Sequence, residues 1–368
     1  MIKLSARRPR PAAPRGSYPA AWSALFVALA AGILLPSCRQ GRPEVRKQTR
    51  LMMDTYVTIS AFAPGLKADA ALDSAFVRLE QISHKFNHLD SASPIYAFNE
   101  RDVPITDTEI IHVLNAAQRI SVLSGGAFDI TVEPLVRLWG FYDSCPALPE
   151  QRQIDSCLKF VGYQNLAIDS GRVTKRNPAT RIDLGGIAKG YGLAEAARVL
   201  RQAGVDSALI DLGGDVYAIG RKGDQQWKVG IRNPRGNGVV GVVALTNLAA
   251  VTSGDYERYF WGPPRDTVPD SPARLGHVPA DSVRYCHILN PHTGWPARGF
   301  CSTTVLMRDP LLAQGFSKVL FILGPEALNL ADSTEHFEAM LITDSMKVIT
   351  SEGLAGAIDL KLKDIAGQ

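Results

Sequence analysis

Strand-like runs in this chain are joined sometimes by glycine turns and sometimes by segments of helical spacing, and this irregular alternation constrains the fold most. A doubly wound parallel sheet needs a helix after nearly every strand. Here ALIDLGGDVYAIG, WKVGIRN and GVVALTN follow one another without one. The pattern predicts an α+β protein with mixed or antiparallel sheets flanked by helices. The body opens near Leu51 with LMMDTYVTISAF, whose alternation and β-branched residues read as a strand. Between Ala70 and Phe86, Leu72, Phe76, Leu79, Ile82 and Phe86 recur at helical spacing. A second helix is expected from Thr106, with Glu109 completing a capping box, to Gly125-Gly126. A third follows the glycine turn at Asp183 and runs to about Leu200, stopped by Gly204, and a fourth lies near Gln314–Leu323. HFEAMLIT and MKVITS read as closing strands, and residues 262–283, rich in Pro, Asp and Ser, as a surface insertion.

Charge separates a leader from this body. Residues 1–37 hold five of the 40 basic side chains (Lys3, Arg7, Arg8, Arg10, Arg15) and no acidic one, leaving 35 basic against 36 acidic in the rest. A near-neutral body gives no global field for a polyanion, so nucleic-acid binding loses its main support. The basic start, the 16-residue apolar run Ala20–Leu35 and Leu35-Pro36-Ser37-Cys38 follow the order of a signal peptide. That run is shorter than the roughly 20 residues that span a bilayer as a helix. A cysteine after Leu-x-Ser resembles a bacterial lipoprotein processing site, which makes Cys38 the lipid-modified first residue of the mature protein. An ordinary secreted protein with an incidental cysteine is the alternative. Residues 38–50 then read as a polar tether and 51–368 as one domain. Of the remaining cysteines (Cys145, Cys157, Cys286, Cys301), none forms C-x-x-C. Free thiols are expected, although an oxidising compartment would permit a Cys145–Cys157 bridge.

Several glycine-rich turns carry chemistry. Asp183-Leu184-Gly185-Gly186-Ile187-Ala188-Lys189-Gly190-Tyr191 lets backbone approach a ligand at the start of a helix, whose unpaired N–H groups and Lys189 suit a phosphate. It is neither a Walker loop nor a G-x-G-x-x-G fingerprint, so ordinary ATPase and Rossmann readings fail. Leu212-Gly213-Gly214-Asp215, Thr252-Ser253-Gly254-Asp255 and the His287–Gly294 loop each also admit a purely structural reading as bulge or turn.

Their joint order is more specific. MDTYVTI (from Met53), GGAFDITVEPLVRLWGF (125–141), DLGGIAKGYG (183–192), IDLGGD (210–215), WKVGIRNP (227–234), TSGDYERY (252–259) and HILNPHTGWP (287–296) resemble the FAD:protein FMN transferases of the ApbE family, over about residues 51–350. The resemblance implies that FAD binds with magnesium and that its FMN half moves to a threonine or serine hydroxyl of a target protein as a phosphoester, releasing AMP. It also implies lipid-anchored or periplasmic members, and acceptors among extracytoplasmic subunits of membrane electron-transfer complexes. Site by site, it implies FAD contacts at Met53, Ala127, Phe128, Asp129, Asp183, Lys189 and Ile288, with Met53, Phe128 and Ile288 equally suited to core packing. It places Gly186 at magnesium through its carbonyl, and His287 or Asp255 nearest the acceptor hydroxyl.

Two departures stand out. Where the family shows Ala-Asp-x-x-x-Thr, with Asp and Thr at magnesium, this chain has Ala313-Gln314-Gly315-Phe316-Ser317-Lys318. An amide replaces the carboxylate and an ammonium the hydroxyl, so the metal site looks weakened, with Lys318 standing in for part of the metal charge or transfer activity lost. Around residues 86–99, Leu89 takes the place of the usual flavin-stacking aromatic, with Tyr96 or Phe86 as substitutes. Two alternatives to transfer therefore stand: an FAD pyrophosphatase giving FMN and AMP, and a non-catalytic lipid-anchored FAD-binding module.

Overall fold

An eight-stranded sheet, antiparallel at every pairing, organises the chain. The structure, a computed structural model, describes residues 44–63, 65–143, 146–264, 282–331, 336–355 and 358–360. The leader, Cys38, Cys145 and most of the 262–283 segment lie outside those residues. In chain order the strands are β1 (Glu44–Met52), β2 (Thr55–Ala63), β3 (Leu166–Asp169), β4 (Arg172–Lys175), β5 (Ala208–Leu212), β6 (Asp215–Ile219), β7 (Trp227–Arg232), β8 (Val239–Leu245), β9 (Leu248–Gly254), β10 (Tyr259–Gly262), β11 (Val283–Cys286), β12 (Phe300–Met307), β13 (Glu338–Thr343), β14 (Val348–Thr350) and β15 (Ile358–Leu360). The helices are α1 (Gly65–Phe86), α2 (Pro94–Arg101), α3 (Thr108–Leu123), α4 (Glu133–Leu138), α5 (Gln151–Leu158), α6 (Ala188–Gln202), α7 (Pro310–Leu323) and α8 (Glu352–Ala355). The main sheet runs β1-β2-β5-β6-β9-β12-β13-β14, and a small sheet runs β15-β8-β7. The α+β expectation holds, with the main sheet purely antiparallel.

Alternation along the strands explains the layering, because successive side chains point to opposite faces. On β13, Ala339 and Leu341 join the helical core with Leu72, Leu193 and Phe316, while Met340 and Ile342 join Trp227, Val243 and Leu245 of the small sheet. Both faces of the central strands are thus buried, which is why the chain reads as continuously apolar there. A third, aromatic cluster centres on the fully buried Trp139, with Phe260, Tyr285 and Trp295 around it. The Trp139 indole N–H donates to the Gly294 carbonyl at 2.8 Å and so fixes the 287–296 loop.

Four readings of the sequence are corrected. Residues 44–50 are not tether but the outer edge strand β1, whose mostly exposed residues pair with β2 and so lack the apolar alternation of a buried strand. The strand expected from Leu51 is broken by a two-residue turn at Met53 and Asp54, both at positive φ (52° and 57°). Such a type I′ turn normally takes Asn-Gly, so the residues gave no turn signal. ALIDLGGDVYAIG is two strands joined by Gly213 and Gly214, at φ 64° and 93°. A side chain at Gly213 would also strike Thr55. The second helix is capped by Asp107, whose carboxylate accepts from the Glu109 and Ile110 N–H groups, rather than from Thr106. Glu109 instead pairs with Arg78 and Lys85. Cys157, Cys286 and Cys301 are free. The two sides of the 262–283 segment meet as the β10–β11 hairpin, while residues 265–281 lie outside the described ones.

The tightest helix contact is between α6 and α7. A Cβ on Gly190 would lie 2.2 Å from the Pro310 carbonyl oxygen and 2.8 Å from the Gln314 Cβ. Gly190→Ala is therefore expected to destabilise the protein by about 1–3 kcal/mol, although alanine is the better helix former. Urea denaturation of the two proteins measures it; an unchanged or raised midpoint would mean the helices do not approach this closely.

Candidate functional site

One cleft of about 900 Å³ lies where loop ends from the main sheet meet the start of α6, a size that suits a small-molecule ligand. Its walls come from the Met53-Asp54 turn, the 127–132 segment, the Asp183–Lys189 turn, the β5–β6 hairpin, β9, and the His287–Leu289 segment. Met53, Ala127, Phe128, Asp129, Asp183, Gly186, Lys189, His287, Ile288 and Gln314 all line it. Residues up to 261 positions apart in sequence are thus brought to one place by sheet pairing.

Each wall has a local cause. Asp129 caps the 3₁₀ turn Ile130–Val132: its Oδ1 accepts from the Thr131 N–H at 2.8 Å and hydroxyl at 2.6 Å, and its Oδ2 from the Tyr163 N–H at 2.6 Å. Burial pushes its carboxyl above the ordinary range, a rise that these donors only partly offset. With both oxygens engaged, Asp129 shapes the loop that carries Ala127 and Phe128. Phe128 lies beneath Gly186, where a Cβ would meet its ring at 3.4 Å. Asp183 accepts from the Gly185 N–H at 2.7 Å and from the Tyr142 hydroxyl at 2.7 Å. Burial, then Asp183, push the Tyr142 phenol far up, so it stays a donor. His88 stands behind them, with Nδ1 3.6 Å from Asp183 and Nε2 buried without a partner.

His287 has a defined tautomer. Its Nδ1 lies 3.2 Å from the Arg258 carbonyl oxygen, which also accepts the His287 backbone N–H at 3.0 Å. A carbonyl only accepts, so Nδ1 carries the proton and Nε2 is left as the imidazole's lone-pair nitrogen. Burial pushes the imidazole down to about 4, with Arg258, Lys318 and Lys189 acting in the same direction. The ring is therefore neutral at physiological pH.

Asp255 does not join this cleft, and its expected place beside the acceptor is corrected. Its carboxylate is gripped by Arg235 through two 2.7 Å hydrogen bonds and by Arg284 at 3.1 Å, at the wall of a separate cleft of about 430 Å³. A buried carboxylate with both oxygens taken by two guanidiniums ties loops together. A carboxylate that lines the cleft beside Gln314 and Lys189 is Asp215, from the quoted IDLGGD run. Its Oδ1 accepts from the Thr252 N–H at 3.0 Å, and its Oδ2 accepts from the Gln314 Nε2 at 3.1 Å and lies 3.6 Å from the Lys189 Nζ. Lys318 lines the same wall. Burial pushes its ammonium down to about 8, opposed by Asp215 and reinforced by Lys189. Asp215 went unmarked because a glycine turn explains an adjacent aspartate without any ligand. Tyr142 falls outside every quoted run, while Arg258, within TSGDYERY, and His88, within residues 86–99, are not singled out there. Of the aromatics weighed for the 86–99 region, Phe86 lines the cleft beside Leu89, whereas Tyr96 lies under Arg101.

The donors here do not fit magnesium. A hard dication wants several oxygen ligands, usually anionic. Beside Gln314 stand two ammonium groups and one carboxylate already engaged by an amide and a lysine. The Gln314 Oε1, buried without a partner, offers one neutral oxygen. No group of three or more His, Cys, Asp or Glu residues able to hold a metal occurs among the described residues. The expectation of a metal at Gly186 and Gln314 is corrected on that ground, because Lys318 and Lys189 would repel it.

Comparison with known proteins agrees with this architecture. The family model described as "ApbE family" matches residues 53–341. An FAD:protein FMN transferase of Vibrio cholerae serotype O1 is 28% identical, covering 82% of this chain and 88% of its own. One of Treponema pallidum is also 28% identical, covering 86% and 90%. Among solved structures, the ApbE protein of Thermotoga maritima superposes with a TM-score of 0.76 at 29% identity, covering 85% of this chain and 99% of that one. With its antiparallel sheet, its cleft and a family match across most of its length, the chain belongs to the ApbE family.

Proposed function

We propose that this chain is an FAD:protein FMN transferase: the cleft holds FAD, and the FMN half is moved onto a threonine or serine hydroxyl of another protein. The observation that carries this reading is His287, a neutral imidazole whose Nε2 is free to accept a proton, lining the same cleft as two ammonium groups. The acceptor oxygen attacks the flavin-side phosphorus, forming the new P–O bond, and the P–O bond to AMP breaks in line with it. The hydroxyl proton goes to His287 Nε2, and AMP leaves with the bridging oxygen and its electron pair. Lys189, Lys318 and the positive end of α6 offset negative charge on the phosphates. Asp183, held by Tyr142 and the Gly185 N–H, fixes that turn. Positioning and charge supply the catalysis.

The names of the relatives support transfer over hydrolysis. The leader, ending at Leu35-Pro36-Ser37-Cys38, supports a lipoprotein on the periplasmic face of the cell envelope, with an acceptor among membrane electron-transfer subunits. Cys38→Ser is expected to move the protein from the membrane pellet to the soluble extract of the native host; retention in the membrane would remove the lipid anchor.

Incubation with FAD and a threonine-bearing acceptor peptide is expected to give covalent flavin on the peptide and one AMP per flavin. Free FMN and AMP with an unlabelled peptide would make the chain a pyrophosphatase, and intact FAD a binding module. His287→Gln is expected to slow transfer by about 10²-fold or more, the usual worth of a positioned general base. The kcat/KM profile reports the free enzyme. It should hold down to about pH 4, where His287 gains the proton that disables it, and fall above about pH 8, where Lys318 loses its charge. An acid limb near pH 6.5 would mean that burial does not depress the His287 imidazole, and its persistence in His287→Gln would exclude His287 as the base.

A further inference from the structure

Lys189 and Lys318 line the cleft with Asp215 and Asp211; Asp211 accepts from the Gly214 N–H at 2.8 Å and acts on Lys189, which leaves Lys318 with no carboxylate but the shared Asp215. Lys189 stands 3.6 Å from Asp215, and Lys318 feels the same carboxylate and is repelled by Lys189. Among the described residues, no ion pair holds Lys318; its Nζ reaches the Ser317 hydroxyl, at 3.5 Å. Asp215 cannot neutralise both lysines, and one of its oxygens is already occupied by the Thr252 N–H. The Gln314 amide adds no charge, and its Oε1 is buried without a partner. Burying an ammonium in such a place is costly unless an anion completes it. The Gly185-Gly186 turn at the head of α6 lies on the same cleft and turns the positive end of a 15-residue helix toward it.

We propose that Lys189, paired with Asp215, and Lys318, one turn from Gln314 on α7, form a dicationic seat for the pyrophosphate of the dinucleotide, so that binding and transfer need no divalent metal. The inference rests on the reading of the cleft as an FAD site and adds what neutralises the phosphates there. The geometry is enforced rather than fortuitous. Lys189 immediately precedes Gly190, where α6 touches α7, and Gln314 and Lys318 are one turn apart on α7. An ammonium on a rigid helix face keeps its charge in a chelating solution, unlike a bound ion. It is also a point charge with three donors, able to bridge oxygens of both phosphates.

The test compares FAD affinity of the purified mature protein, read by quenching of flavin fluorescence, in EDTA and in magnesium chloride, with the transfer rate followed in parallel. Dissociation constants that agree within about threefold, and transfer that survives EDTA, are expected. A tenfold loss of affinity in EDTA, about 1.4 kcal/mol, would overturn the dicationic seat while leaving the FAD reading intact. No flavin binding in either buffer would overturn both. Lys318→Met is expected to weaken FAD binding about tenfold or more, unrelieved by magnesium, and Lys318→Arg to retain it within a few-fold. Wild-type affinity in Lys318→Met, measured on protein with an unchanged circular dichroism spectrum, would overturn the proposal. In Gln314→Asp with Lys318→Thr, binding should become magnesium-dependent, with EDTA weakening it by about tenfold or more; indifference to the ion would count against the proposed exchange of cation for metal.

Discussion

The approach of α6 to α7 at Gly190 is the contact on which the site depends. It places Lys189 on one helix and Gln314 on the other within reach of Asp215, with Lys318 one turn beyond Gln314 on the same cleft, and it can exist only because position 190 carries no side chain. Helix propensity argues the other way, since glycine costs about 1 kcal/mol in a helix interior. Close packing outweighs it. Gly315, where a Cβ would meet Ile120 of α3 at 2.4 Å, repeats the device on the same helix. Packing of the helical layer is therefore also the positioning of charge, and a substitution that loosened the core would disperse the cations.

Polar groups around the cleft divide into those that are fully engaged and those that are not. Asp129, Asp183 and Asp255 spend their oxygens on backbone N–H groups, a tyrosine and arginines, and so fix loops. Lys318, the Nε2 of His287, the Nε2 of His88 and the Oε1 of Gln314 retain capacity. In a low-dielectric cleft an unsatisfied group is costly, which makes the second set the natural contacts for a ligand. That division distinguishes a carboxylate that builds the site from one that acts in it, which residue type alone cannot do.

Much of the fold was legible in the sequence because its signals are local. Helical spacing from Leu72 to Phe86 and the glycine stop at Gly204 translate directly into α1 and α6. What escaped was set by tertiary context. The Met53-Asp54 turn uses left-handed residues without glycine, β1 is an edge strand with little apolar alternation, and Asp107 competes successfully with Thr106 as a cap. Ordered motifs identified nearly every wall of the cleft, since Met53, Phe128, Asp183, Lys189, His287 and Ile288 converge there. Asp255 was misjudged because a carboxylate beside Thr-Ser-Gly reads the same whether or not arginines from residues 235 and 284 fold over it. Asp215 was passed over for the converse reason: its partners Thr252, Gln314 and Lys189 are remote in sequence.

The Arg258 carbonyl that orients His287 sits one residue beyond the end of the β10–β11 ladder, where Tyr259 pairs with Cys286. Many enzymes fix an imidazole with a neighbouring carboxylate, which can be altered by itself. Here the main chain does that work, so ring orientation is inherited from strand registration. A slip of one residue in the hairpin would turn alternate side chains to the opposite face and present a different carbonyl to the ring. The sequence between those two strands can then vary in length and composition while the base keeps its orientation, provided the last rung holds.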